Sequence, residues 1–91
     1  MEKQIKCILI SNSEILISEI EEIGSELGEP DCKLIKPFKI KYQKLDVLPF
    51  TLEPWLNDLT IQDTFMIHSD KIITITEPKP TLLEKYLELI S

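Results

Sequence analysis

The pattern of apolar and polar positions predicts mostly strands. Cys7-Ile8-Leu9-Ile10 is an uninterrupted apolar block suited to a strand covered on both faces, and Ser11-Asn12-Ser13 supplies a tight turn after it. From Glu14 to Ile23 the inward parity changes halfway, which a long, bent strand explains. The spacing of Ile20, Ile23 and Leu27 would also suit one helical turn or two. Gly24, Gly28 and Pro30 mark a loop. From Cys32 to Tyr42 the alternation returns, with Leu34, Phe38, Ile40 and Tyr42 on one parity and Lys33, Pro37, Lys39 and Lys41 on the other. This predicts a strand with a lysine face, and Pro37, which lacks an N–H donor, belongs at an edge or a bulge. Residues 43 to 60, with Pro49, Pro54, Trp55 and Asn57-Asp58, read as a loop or hairpin tip.

Two β-rich runs follow, Thr64 to His68 and Ile72 to Thr76, separated by Ser69-Asp70-Lys71. They predict a hairpin or two strands meeting at a sharp corner. Pro78 and Pro80 close the sheet. Thr81-Leu82-Leu83-Glu84 matches a capping box, so a helix is expected over about 81–90, with Leu82, Leu83, Tyr86, Leu87 and Ile90 as its apolar stripe. That stripe either plugs the open end of the chain's own small barrel or packs on a neighbouring subunit.

Composition sharpens the picture. Ninety-one residues make a single domain, 1–91, that buries about 60% of its unfolded surface, a small core that benefits from a partner. Fifteen isoleucines against one valine and no alanine favour pleated surfaces over helices. The short apolar runs offer neither a membrane span nor a signal-peptide core, so the chain is expected to remain in the cytoplasm, that of a bacterial host if it is phage-encoded.

The net charge of −6 is unevenly placed. Residues 7 to 32 carry seven acids and no lysine, whereas Lys33, Lys36, Lys39, Lys41 and Lys44 fall in residues 33 to 44 without an acid. The lysines are either a solvated face guarding an edge or a stripe for phosphates. An acidic domain repels a long polyanion, so duplex binding through counterion release is not expected, while a short single strand at a local basic site is compatible. With no arginine in the chain, any anion is held by point charges rather than by a guanidinium fork.

Candidate chemistry is sparse. Cys7 and Cys32 lie twenty-five residues apart and neither belongs to a CxxC pair, so neither a zinc site nor any other cofactor is expected. Cys7 should be a reduced, buried thiol. His68, the single histidine, sits before the Ser69-Asp70 corner, where it is either structural or faces a ligand. A hydrolase using Cys32 and His68 would need them side by side, and no enzyme is expected. Trp55 either stacks a base or folds onto the sheet. Two glycines give no phosphate-cradling loop.

Several segments, taken together, resemble the Sm and Sm-like proteins. Ile10-Ser11-Asn12-Ser13 and Leu16-Ile17-Ser18-Glu19-Ile20 fall at the spacing of the first Sm motif, with serines in place of its glycines, and Glu29-Pro30-Asp31-Cys32-Lys33-Leu34 is similar to the motif's acidic end. Ile67-His68-Ser69-Asp70-Lys71-Ile72 resembles the second motif, with His68 in place of arginine and Ser69 in place of glycine. The likeness spans roughly residues 6 to 76 and in general flavour looks most like the small Sm-like proteins of marine cyanophages.

The resemblance implies an all-β fold with one C-terminal helix: a small, SH3-type open barrel of five strongly bent antiparallel strands over about residues 4–77. It implies a homo-oligomeric ring of about five to seven subunits, closed by edge pairing of the last two strands. Single-stranded RNA would be gripped near the pore by Asp31, Lys33, His68, Ser69 and Asp70, helped by Lys36, Lys39 and Lys41. The family's stacking aromatic is missing, and its N-terminal helix is not expected, since Met1 to Lys3 alone precede the first strand. The rival expectation is a protein-interaction ring without a nucleic-acid role.

Overall fold

The computed structural model describes residues 4–24, 26–42 and 50–91. The first apolar block becomes β1 (Ile5–Ile10), which turns through Ser11 to Ser13, the latter at φ 71°, into β2 (Ile15–Glu22). After the glycine-marked loop comes the long β3 (Cys32–Tyr42), then β4 (Phe50–Pro54), β5 (Thr64–Ile67) and β6 (Ile72–Thr76). A 3-10 turn over Ser69–Lys71 forms the corner between β5 and β6, and α1 (Pro80–Ile90) ends the chain. The described residues thus form six strands where five were expected. β4 is the extra one, inside the stretch read as a loop, while Lys44 and Pro49 lie outside the described residues.

All pairings are antiparallel, in the order β4-β3-β2-β1-β6, with β5 also on β3. β3 has two partners along one border: Cys32 to Ile35 face β5, and Phe38 to Tyr42 face β4. No ladder joins β5 to β6 among the described residues, so the sheet is not closed.

On one face Ile8, Ile10, Leu16 and Leu34 form the buried core, with Ile20, Trp55, Ile67 and Ile72 packed around it. Trp55 thus folds onto the sheet. Ile17 points the other way, pairs with Phe38 across the ladder and is fully buried. Tyr86 of α1 covers that second face, its ring edge-on to Phe38 with centroids 5.7 Å apart. The helix therefore engages the outer face at mid-sheet rather than plugging an open end.

The expected capping box does not form. Pro80 takes the first helical position, its preferred place, with Lys79 as a cap that makes no side-chain hydrogen bond. Thr81 thereby falls inside the first turn.

β3 breaks where its partners change. Lys36 adopts φ 52°, a left-handed conformation that costs of order 1–3 kcal/mol for a side-chain-bearing residue, and Pro37 follows without a donor. The ladder to β2 shifts register opposite, between Ile17 and Glu19. Backbone polar groups freed there find partners. Lys36 N–H donates to the Asp63 carbonyl (2.7 Å), and the Pro37 carbonyl accepts from Trp55 N–H (2.9 Å). The Ser18 hydroxyl, fully buried, lies 2.8 Å from the Glu19 carbonyl and 3.1 Å from that of Ile35, sharing one proton between them. The Tyr86 hydroxyl donates to the Lys36 carbonyl at 2.8 Å and sits 3.3 Å from that of Ile35. Burial pushes its pKa up to about 12, so it remains a donor throughout the neutral range.

Tyr86→Phe should therefore destabilise the fold by about 1–3 kcal/mol, the cost of a buried carbonyl left without its donor. Equilibrium urea denaturation reads this as a lower midpoint at unchanged slope. An unchanged midpoint would mean that the carbonyls find another donor.

Candidate functional site: the β5–β6 corner and its borders

The register of β3 with β5 assembles the corner. Cys32 pairs with Ile67, so one step further Asp31 comes opposite His68 and the start of the 3-10 turn. There its carboxylate accepts two hydrogen bonds from Ser69, from the backbone N–H at 2.7 Å and from the hydroxyl at 2.6 Å. The Ser69 hydroxyl, then its amide, hold the Asp31 pKa below the usual 3.8, with the nearby His68 adding to this. A second tie runs from Ser11 N–H to the Lys71 carbonyl at 2.8 Å, and Lys71 N–H closes the turn on the His68 carbonyl at 3.0 Å. The corner is thus fastened both to the start of β3 and to the β1–β2 turn.

The residues proposed for binding divide between two places. Asp31, His68, Ser69 and Asp70 gather at the corner, His68 half-buried and Asp70 exposed within the turn. Lys33 stands beside it, opposite Met66 of β5 and Glu21 of β2. Lys36 is exposed at the break in β3. Lys39 and Lys41 lie beyond the break, and both face acids: Lys39 is 3.3 Å from Glu14, and Lys41 is 3.1 Å from Glu53 across the β3–β4 ladder. Burial would raise the Glu14 pKa, but hydrogen bonds from Asn12 and Lys39, with the nearby Trp55 indole, bring it below its usual value. The lysine stripe is therefore half neutralised.

The cysteines are poor candidates for chemistry. Burial pushes the Cys7 thiol up against the opposing hydrogen bond with Thr76. Cys32 is likewise raised, by burial first and then by the charges of Asp31 and Glu22. Both stay protonated at neutral pH, the unreactive form. Among the described residues no three His, Cys, Asp or Glu side chains are grouped to hold a metal ion, and no helix is long and apolar enough to cross a membrane.

Edge pairing of the last two strands was expected from the resemblance alone, not from the residues' own pattern. β6 pairs only with β1 and β5 only with β3 among the described residues, so each presents a free edge. Ile73 and Ile75 of β6 are 62% and 47% exposed, and Met66 of β5 is 47% exposed. The signal was present: Ile72-Ile73-Thr74-Ile75-Thr76 carries no charge on either parity. Beside β6 an open cleft of about 1210 Å³ runs to the far end of β2, lined by Lys6, Ile20, Glu21, Glu22, Cys32 and Ile75 among others.

Fold and site define a small antiparallel β domain with a C-terminal helix, an open sheet and a hydrogen-bonded corner between the border strands β5 and β6. Residues 3–91 match the model of DUF6561, a family of unknown function, and the chain belongs to that family. Among curated proteins none matches it.

The Asp31 tie makes stability depend on acidity. Because the folded pKa is depressed, its contribution is complete above the unfolded value of 3.8 and is lost as the pH falls through the lower folded value. Asp31→Ala should be less stable than wild type at about pH 7, and the difference should shrink toward about pH 2, below the usual carboxylate range, as read by urea midpoints. A gap independent of pH would show that Asp31 acts by packing alone.

Proposed function

We propose that this protein is an interaction module that works by strand addition at the borders β5 and β6, on an Sm-like, SH3-type frame, with copies of itself as the first partners. The supporting observation is the chemistry of the two edges. Natural monomers blunt free edges with charge, proline or bulges. Neither Thr64–Ile67 nor Ile72–Thr76 contains a charged residue or a proline, and both expose large apolar side chains. An edge of this kind is suited to pairing with another strand. Two different borders on one subunit join head to tail, the arrangement that closes into rings when the rotation permits. The strand path adds support, since β6 returns to β1 across a corner after β5 has paired with β3.

Light scattering at micromolar concentration should give a mass several times 10.6 kDa for the wild type. The double variant Ile73→Lys, Ile75→Lys should move it toward the monomer with an unchanged circular dichroism spectrum, because a lysine row on a free edge opposes pairing. A folded wild-type monomer would overturn this reading.

A second reading, single-stranded RNA binding, is favoured by one observation. Lys33 and Lys36 make no ion pair among the described residues, and Lys33 stands beside the corner that carries His68 and Ser69. On this reading Lys33→Ala with Lys36→Ala should weaken binding of a short oligouridine and flatten its salt dependence, measured by electrophoretic mobility shift. Lys39→Ala with Lys41→Ala should change it less, since Glu14 and Glu53 already offset those charges. Equal losses from both pairs would count against a site at the corner.

A further inference from the structure

The cleft beside β6 carries features that a second copy of this chain complements only in part. Its floor is apolar, built from Ile20, Cys32, Ile72 and Ile75, and one wall is the free edge of β6. Its rim is acidic. Glu21 and Glu22 are exposed and make no ion pair among the described residues, and the lysine on the same rim, Lys6, is already paired with Glu77. The rim therefore keeps negative charge, and the chain as a whole carries −6.

Whatever lies here must supply backbone groups to the edge, apolar side chains to the floor and cations to the rim. The chain's own β5 meets the first two needs but not the third. Thr64–Ile67 is uncharged and follows Asp63, an acid that would add to the repulsion. An added strand places alternate side chains toward the sheet's concave side, and cations at its ends reach acids that border the cleft.

We propose that this cleft receives an extended segment of another protein, apolar at its centre and carrying lysine or arginine at its ends, which adds to β6 as a further strand. The proposal rests on β6 acting as an interaction edge, and it names the partner for that edge. Main-chain hydrogen bonds to β6 give the segment its register, Ile72 and Ile75 receive its apolar side chains, and Glu21 with Glu22 select for positive charge. Since the segment occupies the same border as a second copy, its binding dissociates oligomers held through β6.

The test uses the full chain and a fluorescent peptide, Lys-Lys-Val-Thr-Val-Thr-Val-Lys-Lys, followed by anisotropy and by light scattering. Saturable binding is expected, with a fall in oligomer mass as the peptide saturates. Glu21→Lys with Glu22→Lys should weaken binding by at least about tenfold, equivalent to about 1.4 kcal/mol. Glu22→Lys alone, the milder change, should give a smaller loss, and Ile75→Lys should abolish binding while the circular dichroism spectrum stays that of the wild type. A peptide with glutamates replacing the lysines should not bind, and N-methylation of alternate amides should eliminate binding.

If the peptide does not bind while Ile73→Lys with Ile75→Lys still breaks up the wild-type oligomer, the proposal falls and the edge belongs to a second copy. If the peptide fails and the wild type is a monomer, the edge reading falls with it. Equal binding of the acidic peptide or of the N-methylated peptide also overturns the proposal, because charge selection or strand addition would then be absent.

Discussion

Two hydroxyls, those of Tyr86 and Ser18, meet the carbonyls of Ile35 and Lys36 in the middle of β3, and the rest of the sheet depends on that meeting. An eleven-residue strand paired without interruption would keep a single neighbour along each border. The break at Lys36 and Pro37 instead turns β3, so that its first half faces β5 and its second half faces β4. A break of this kind exposes backbone carbonyls in the interior, where each unsatisfied group costs about 1–3 kcal/mol. Ser18 reaches them from the neighbouring strand and Tyr86 from the helix. The terminal helix is thus part of what makes the bend tolerable, which explains why its single buried residue is an aromatic with a hydroxyl rather than a leucine.

Much of this was legible in the residues, and the failures have physical reasons. The strands over β1, β2, β3, β5 and β6 follow from apolar runs punctuated by turn residues, and Pro37 marked the disturbance in β3. Asp31, His68 and Ser69 were expected at one site, and antiparallel register brings them together. β4 was read as loop because Phe50–Pro54 is short and ends in proline, tolerated only because the strand lies at a border. The capping box at Thr81 lost to Pro80, whose ring starts the helix one residue sooner. Ion pairs were invisible for a different reason: Lys39 and Lys41 meet Glu14 of the β1–β2 turn and Glu53 of β4, acids that only the folded chain brings near them. Periodicity likewise marks both parities of β6 as apolar without saying which border lacks a neighbour.

Charge placement gives the molecule a polarity that its total does not convey. Beyond the break in β3, Lys39 and Lys41 are offset by Glu14 and Glu53. Near the corner Lys33 stands opposite Glu21, and neither they nor Glu22 make an ion pair among the described residues. The same region holds the free edges, the cleft and the Asp31–Ser69 tie. Interaction chemistry is thus concentrated at one end of the sheet, and the other end is occupied with holding the bend and the helix in place.

The pairing of β1 with β6 has a consequence for how the chain comes to be folded. Strands far apart in the sequence lie side by side, so β1 and β2 can form a hairpin early, yet the outer border of β1 has no neighbour until Ile72–Thr76 has been made. During synthesis from the N-terminus that border, backed by Ile8 and Ile10, stays open to other nascent chains. Protection against hydrogen exchange of those β1 amides that point toward β6 should therefore appear last and in step with that of β6, after that of the amides bonded within the β1–β2 hairpin.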